Sequence, residues 1–394
     1  CKANDWLTGV FSYTEYDLSV TTDMETGWWI LKTIDGNTDI DFFSNEKAKP
    51  DVIMNANGQR LNGEALNVDY TSNFWKFNAD KQTDERVSAV FVASKGDIAA
   101  LDYFTGRIIS NYDQLFVDAP AKHEVRGMFK GPSDTHVYVD GHIYTMYHSK
   151  YSIYNQFVIK ALGDYDIAPQ HHAAGSLPLL FNRANSSFCS VSRTSSTIDY
   201  FKNSSPSPIQ MNMDLEDIGG KTTASWTQGD MALALMKGKT DGKHYLLQLD
   251  GQPYTMDYNP IWDVKEMPAD LGLYKAEHRA LNQNNNIVYY SIGNVIYSCN
   301  LDNWEEAKAD VTLADSEEIT YMEYLKYAPY GYNETWFDYL VIATSKGDSY
   351  KLCLHPVAAG RIQPAQKTLE GKGKVQRACY MRQEDGYVYT STLF

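Results

Sequence analysis

Residues 90–109 read VFVASKGDIAALDYFTGRII. A strand-like run (VFVAS) meets a Lys-Gly turn, a second run (DIAALD) follows, and a Thr-Gly corner ends the stretch. One copy of this pattern would suit a cofactor repeat, a metal loop or one blade of a larger array, so recurrence decides the reading. It recurs in degenerate form as GWWILKTIDGNTDIDFF (27–43), HVYVDGHIYTMYH (136–148), SFCSVSRTSSTIDYF (187–201) and MALALMKGKTDGKHYLLQLD (231–250). Further copies are IVYYSIGNVIYSCNLD (287–302), YLVIATSKGDSYKLCL (339–354) and the C-terminal RACYMRQEDGYVYTSTLF (377–394). Each is two short apolar or alternating runs around a turn rich in Gly, Asp, Asn or Lys, which is the signature of a hairpin.

The units follow one another at roughly 40–65 residues, the spacing of propeller blades. Between them lie EVRGMFK (124–130), EHRALNQ (277–283) and EITYMEYL (318–325), read as the innermost strand of each following blade. A twisted four-stranded sheet cannot bury both faces alone, whereas radial packing covers them. The ring is expected to close through a blade shared by the two chain ends. The terminal VQRACYMRQEDGYVYTSTLF would supply two strands and GWWIL…DIDFF the other two. The expected fold is therefore all-β: a β-propeller of seven blades, with eight as the alternative. Two stretches, EALNVDYTSNFWKF and NWEEAKADVTLA, are read as places for a helical turn.

Composition agrees. The chain has 394 residues, 43% hydrophobic and 13% aromatic, with 29 tyrosines, and flat rings pack well on pleated sheets. A formal net charge of −15 repels nucleic acid and anionic lipid surfaces. One short basic run, GKGKVQR (371–377), is read as a solvated turn. Cys189, Cys299, Cys353 and Cys379 sit in apolar strand-like runs, and no CxxC occurs, so they read as small core residues. No run of about 18 apolar residues exists to cross a membrane as a helix.

Residues 1–22, CKANDWLTGVFSYTEYDLSVTT, fall outside the repeat. They read as a strand end, an Asp/Thr/Gly loop and an alternating strand, like the last two strands of an immunoglobulin-like sandwich. The domain division is thus 1–22, an immunoglobulin-like remnant or linker, and 23–394, the propeller. This loop and YDLSV, the aromatic-rich GWWILKTIDGNTDIDFF, the IGNVIYSCNLD-type hairpins and FNRANSSFCSV (181–191) together resemble the PKD-like lipoproteins of anaerobic gut bacteria. The resemblance covers nearly the whole chain in pattern rather than in exact motif. It implies export and anchoring at the outer membrane, facing the cell surface or periplasm, among glycan-acquisition proteins. It implies no catalytic residues. Cys1 would be either a lipidated first residue or an internal position with the lipidated cysteine upstream.

LDYFTGRI also resembles one copy of the quinone-cofactor dehydrogenase repeat, but it occurs once and Ile stands where Trp belongs. Asp102, Thr105 and Gly106 are instead expected to form an inter-strand corner. GxSxG, HExxH, P-loop and GxGxxG motifs are absent. DGNTDID (35–41) comes nearest to a calcium loop, yet its spacing fits a hairpin turn. His171 and His172, in PQHHAAGSLP, are placed in a solvated loop on a blade rim, without the neighbouring ligands a metal needs. Neither a cofactor nor a metal is expected.

The aromatic stretch YMEYLKYAPYGYNETWFDY (321–339) carries the functional hint. Ring faces stack on the C–H faces of sugars, and Tyr hydroxyls add hydrogen bonds. Tyr321 and Tyr339 read as core. Tyr330, Tyr332 and Trp336, in the Pro-Gly loop, are the leading ligand-binding candidates, followed by Trp75 and Trp262. The leading expectation is a monomeric, non-catalytic, surface-exposed binding protein whose ligand is a glycan or a partner protein of a glycan-uptake system. The alternatives are a propeller-type polysaccharide lyase or glycosidase, which requires two carboxylates with an Arg, Lys or His in a central cleft, and a structural subunit of an outer-membrane complex.

Overall fold

The computed structural model describes residues 2–4, 11–13, 24–78, 80–131, 134–147, 155–192, 196–221, 231–313, 317–327, 337–384 and 387–390. Within them, Lys2–Asn4 pairs antiparallel with Phe11–Tyr13, and seven further sheets follow in chain order. Blade 2 begins with Ala65–Asn78, blade 3 with Val125–Lys130, blade 5 with Met213–Lys221, blade 6 with His278–Leu281 and blade 7 with Glu318–Tyr327. In blade 4 the inner edge is an irregular segment, bridged at His172–Leu179, beside Leu180–Asn182 and Ser187–Ser190.

Blade 1 closes the circle. Lys374–Glu384 from the C-terminal end pairs with Thr26–Ile34, which pairs with Asn37–Phe43 and then Ala48–Lys49. The closure is thus one C-terminal strand against three N-terminal ones. Tyr387–Thr390 folds back on the end of Lys374–Glu384 as a fifth strand. The edge strands of blades 3, 2, 1, 7, 6 and 5 touch in that order. Blade 4 joins blade 5 where Gly220 meets His172, and blade 3 where His171 lies 5.1 Å from the Phe129 ring. The chain is a seven-bladed β-propeller.

The two-residue alternation of each strand feeds two different interfaces. Val90 and Val92 pack with Trp29 and Leu31 of blade 1, while Phe91 and Ala93 pack with Val137 and Met146 of blade 3. On blade 1, Trp29 faces blade 2, stacked on Tyr103 at 5.4 Å, and Trp28 and Ile30 face blade 7. Residues that are apolar on both faces are therefore what the sequence needs, because a blade has no wet face. The turns follow the same local logic. Asp35-Gly36 and Asp140-Gly141 both take positive φ, the two-residue hairpin turn that matches strand twist.

The corner after blade 2's third strand forms as the residues require. Asp102 Oδ1 accepts the Thr105 amide at 3.0 Å and the Thr105 hydroxyl at 2.8 Å. Gly106, at φ +70°, turns the chain. The two expected helical turns do not form: 65–78 is the inner strand of blade 2, and Glu306–Thr312 is the outer strand of blade 6. Alternation in NVDYT and the demand for a fourth strand outweigh the helix-forming Glu and Ala. Helices occur instead at Val52–Asn57 and Tyr112–Leu115.

One glycine sets how closely blades 4 and 5 approach. A Cβ added at Gly220 would lie 2.3 Å from Cε1 of buried His172. Gly220→Ala is expected to lower stability by roughly 1–3 kcal/mol, the usual cost of overpacking. Urea unfolding measures it, and an unchanged midpoint would mean that the His172 ring yields freely.

Candidate functional site on the propeller axis

The inner strands surround a cavity of about 300 Å³. Asp217 of blade 5, Arg279 of blade 6, Glu323 of blade 7, Arg377 of blade 1 and both His171 and His172 of blade 4 line it. Blades 2 and 3 add Asp69 and Lys130, a buried pair at 3.7 Å, with the Lys130 ammonium also donating to the Tyr70 carbonyl. Read around the ring from blade 1, the inner edges carry Arg, Asp, Lys, His, Asp, Arg and Glu. Every blade supplies an ionisable side chain, blade 4 two of them, and the signs alternate except at the histidines; the cavity itself is lined by those of blades 1, 4, 5, 6 and 7.

A shared backbone device accompanies this arrangement. The inner strand slips register against its neighbour between Ala65 and Asn67, Val125 and Gly127, Leu215 and Asp217, and Ile319 and Tyr321. The same occurs between Arg377 and Val375, opposite Leu31/Lys32. A bulge re-aims the side chains that follow it. Asp217 and Arg377 come directly after the slip, and Asp69 and Glu323 two residues later.

The groups are held differently. Glu323 accepts the Tyr321 hydroxyl at 2.5 Å, and Asp217 Oδ1 accepts the Ile218 amide at 2.9 Å. Burial pushes the Asp217 carboxyl up to about 6, against the opposing pull of Arg279 and with added repulsion from Glu323 and Glu216. Burial lowers His171 and His172 to about 4, so both rings are neutral at pH 7. His171 Nδ1 lies 2.9 Å from the Pro169 carbonyl; His172 bonds the Gly251 backbone, and its buried Nε2 has no partner among the described residues. Desolvation opposes the charge on Arg377, but Glu323, Tyr321 and Asp69 outweigh it and keep the guanidinium protonated. Arg279 Nη2 donates to the Leu273 carbonyl at 3.3 Å, and among the described residues the buried Nε of Arg279 and of Arg377 have no acceptor. Among the described residues, neither guanidinium lies within 4.0 Å of a carboxylate oxygen.

This corrects two expectations. His171 and His172 are not in a solvated rim loop; they form the axial edge of blade 4, because the neighbouring Gly219-Gly220 leaves room for the imidazole. The basic run at 371–377 is not only a turn. Lys372 and Lys374 are exposed around Gly373, but Arg377 points into the cavity. DGNTDID is a hairpin, as its spacing requires, and its Asp39 and Asp41 are buried against Arg60 and Lys32. No cluster of three metal-ligating side chains occurs among the described residues.

The aromatic candidates lie elsewhere. Tyr330, Tyr332 and Trp336 fall outside the described residues. Trp75 is half-buried opposite Arg86 on blade 2, and Trp262 is 48% exposed on the outer strand of blade 5. Neither lines the axial cavity. Tyr254, the most exposed large side chain of this region, stacks on Tyr258 at 6.0 Å. Sequence reasoning passed over Asp69, Lys130, Asp217, Arg279, Glu323 and Arg377. Their signal is a single charge inside a strand that otherwise reads as buried, as in LNVDY, YMEYL and VQRACYM, whereas Asp217 in LEDIGG follows a second acid, Glu216.

No family model matches the chain, and no curated protein matches it in sequence. Similar solved structures include a quinonprotein alcohol dehydrogenase-like protein from Bacteroides thetaiotaomicron. It is 11% identical, with 90% of this chain and 78% of that one covered at a TM-score of 0.47. Kluyveromyces lactis Hsv2 is 9% identical over 89% and 97% of the two chains, at a TM-score of 0.44. The dihydro-heme d1 dehydrogenase NirN is 11% identical over 94% and 67%, at a TM-score of 0.46. The likeness is one of fold.

Proposed function

We propose that this protein is a non-catalytic binding protein of a glycan-uptake system, exported and held at the outer membrane in the manner the PKD-like resemblance implies. Its ligand site is the axial cavity, which takes the end of a saccharide. The observation that carries this reading is the convergence of ionisable side chains from five blades, Asp217, Arg279, Glu323, Arg377, His171 and His172, around a space suited to one small ligand. Buried charges are costly unless something uses them. Sugar hydroxyls both donate and accept, so they match a wall that alternates carboxylates with guanidinium and imidazole groups. Trp75 and Trp262, away from the axis, would offer separate ring contacts to a longer chain, and Tyr330, Tyr332 and Trp336 keep the ligand-binding role their sequence suggests.

A glycan array tests the reading. Wild-type protein is expected to retain a defined set of saccharides, and Glu323→Gln to weaken that binding about tenfold or more, the value of one charge-assisted hydrogen bond. Undiminished binding by Glu323→Gln would move the site off the axis.

A second reading, a lyase or glycosidase, is favoured by one observation. Asp217 and Glu323 converge with two arginines and two neutral histidines, the constellation such an enzyme requires. Release of new reducing ends from a retained glycan, abolished by Asp217→Asn, would establish it in place of simple binding.

A further inference from the structure

We infer that the axial cavity selects a saccharide bearing a carboxylate, a uronic acid, and that Arg279 and Arg377 form the clamp that reads it. This rests on the cavity being the ligand site. Arginine forks and carboxylates pair readily, and a buried pair is usually found closed. Here two guanidinium groups and two carboxylates line one small space, yet among the described residues no arginine there reaches ion-pair distance of a carboxylate. The acidic groups have other partners: Glu323 takes the Tyr321 hydroxyl, and Asp217 takes the Ile218 amide. The basic groups are the ones left open. Among the described residues, Nε of Arg279 and Nε of Arg377 are buried without an acceptor.

The open cationic donors of the wall are therefore the two guanidinium Nε groups. A buried donor left unmade is costly, and water recovers only part of that cost in a narrow space. A neutral sugar offers hydroxyl oxygens, which satisfy a donor weakly. A carboxylate offers four lone-pair sites in the plane that a guanidinium presents. The ring hydroxyls of the same sugar would then donate to the remaining lone pairs of Asp217 and Glu323. Steering does not help, since the chain carries a net charge of −15. Selectivity must come from contact inside the cavity, and it should show in affinity and off-rate more than in on-rate.

Titration calorimetry on the whole protein tests this with galacturonic and glucuronic acid, their neutral parents galactose and glucose, and the methyl ester of galacturonic acid. The acids are expected to bind at least about tenfold tighter than the parents, and the ester to behave like galactose. Arg279→Gln and Arg377→Gln should each shrink the preference to within about threefold, while Lys374→Gln, which removes an exposed charge outside the cavity, should leave it intact. Equal affinity for acid, ester and parent would overturn the inference, and so would a preference that survives both arginine replacements. The ester comparison needs no variant, so it decides the matter even where an arginine replacement fails to fold. Neutral sugars bound with dependence on Glu323, but without preference for the acid, would leave the axial site standing and remove only its carboxylate selectivity. Binding of no saccharide at all would remove both.

Discussion

Replacing Lys32 with methionine is expected to cost the fold about 3–5 kcal/mol, the usual loss when one member of a buried ion pair is removed. Lys32 is 1% exposed, and its ammonium lies 2.6 Å from Asp41 and 2.9 Å from Asp51. Methionine keeps the volume and removes the charge, so the two carboxylates would face each other without it. Asp41 also accepts the Tyr350 hydroxyl from blade 7 at 2.7 Å and the Asp51 amide at 2.8 Å. Asp39, 0% exposed, is held separately by the amides of Ile40 and Ile53 and by Arg60 at 3.1 Å. The network therefore joins the N-terminal strands of blade 1 to blade 7, at the seam where the ring closes. Burial works against the Asp51 carboxylate, but Lys32 and Arg60 outweigh it and hold its pKa below the usual value. Urea unfolding of Lys32→Met and of the double variant Lys32→Met/Asp41→Asn separates charge from packing. The double variant should recover a good part of the loss, because the charge that needed a partner is gone. A single-variant loss under about 1 kcal/mol would mean that water or side-chain rearrangement neutralises the site.

The seam shows why the fold was readable and the site was not. Hairpins in a propeller are local: Asp-Gly at 35–36 and 140–141 and the apolar runs on either side declare two strands and a turn within about twenty residues. Eight such units were visible, and the seven blades follow because the first and last share a sheet. The innermost strands EVRGMFK, EHRALNQ and EITYMEYL were legible for the same reason. What the axis contains is not local. Asp69, Asp217 and Arg377 lie more than a hundred residues apart, and each looks alone in its strand. Only the closing geometry brings them into one ring. The bulges that aim them leave no motif, since a slipped register changes which residues face inward without changing their order. His171 and His172 illustrate the same point. Their polar, proline-flanked setting reads as a surface loop, and the cavity that receives them is made by Gly219-Gly220 of the next blade.

Acidification from pH 7 to pH 5.5 is expected to lower stability by roughly 2 kcal/mol, and the axial histidines decide the sign. Burial brings His136 to about 3 and His171 and His172 to about 4. In the unfolded chain each protonates near 6.5. Between 6.5 and the folded values the unfolded state holds the extra protons, so stability is complete above 6.5 and is lost as pH falls towards 4. Each buried ring contributes about 1 kcal/mol over the first unit, with less from His171, which is partly accessible from the cavity. His355, also lowered by burial, acts in the same sense. The carboxylates act in reverse. Asp217, raised to about 6, stabilises the fold most below its unfolded pKa and loses that contribution as pH rises through 6. Burial raises Asp39, Asp69 and Asp97 as well. In the first unit below 6.5 most of this offset has not yet developed, so the histidines prevail. His136 makes the cleanest probe, because its ring stacks on Phe129 at 5.0 Å and its Nδ1 meets the Thr145 hydroxyl at 2.8 Å, away from the cavity wall. Urea midpoints taken from pH 7.5 to 5.5 should fall steadily in the wild type and less steeply in His136→Gln. Asp217→Asn should be more stable than wild type at pH 7.5 by up to roughly 3 kcal/mol and should lose that advantage towards pH 4. A wild-type profile that is flat or rises on acidification would show that the axial imidazoles are protonated in the folded ring, and with it the neutral histidine wall on which the cavity's chemistry depends would be lost.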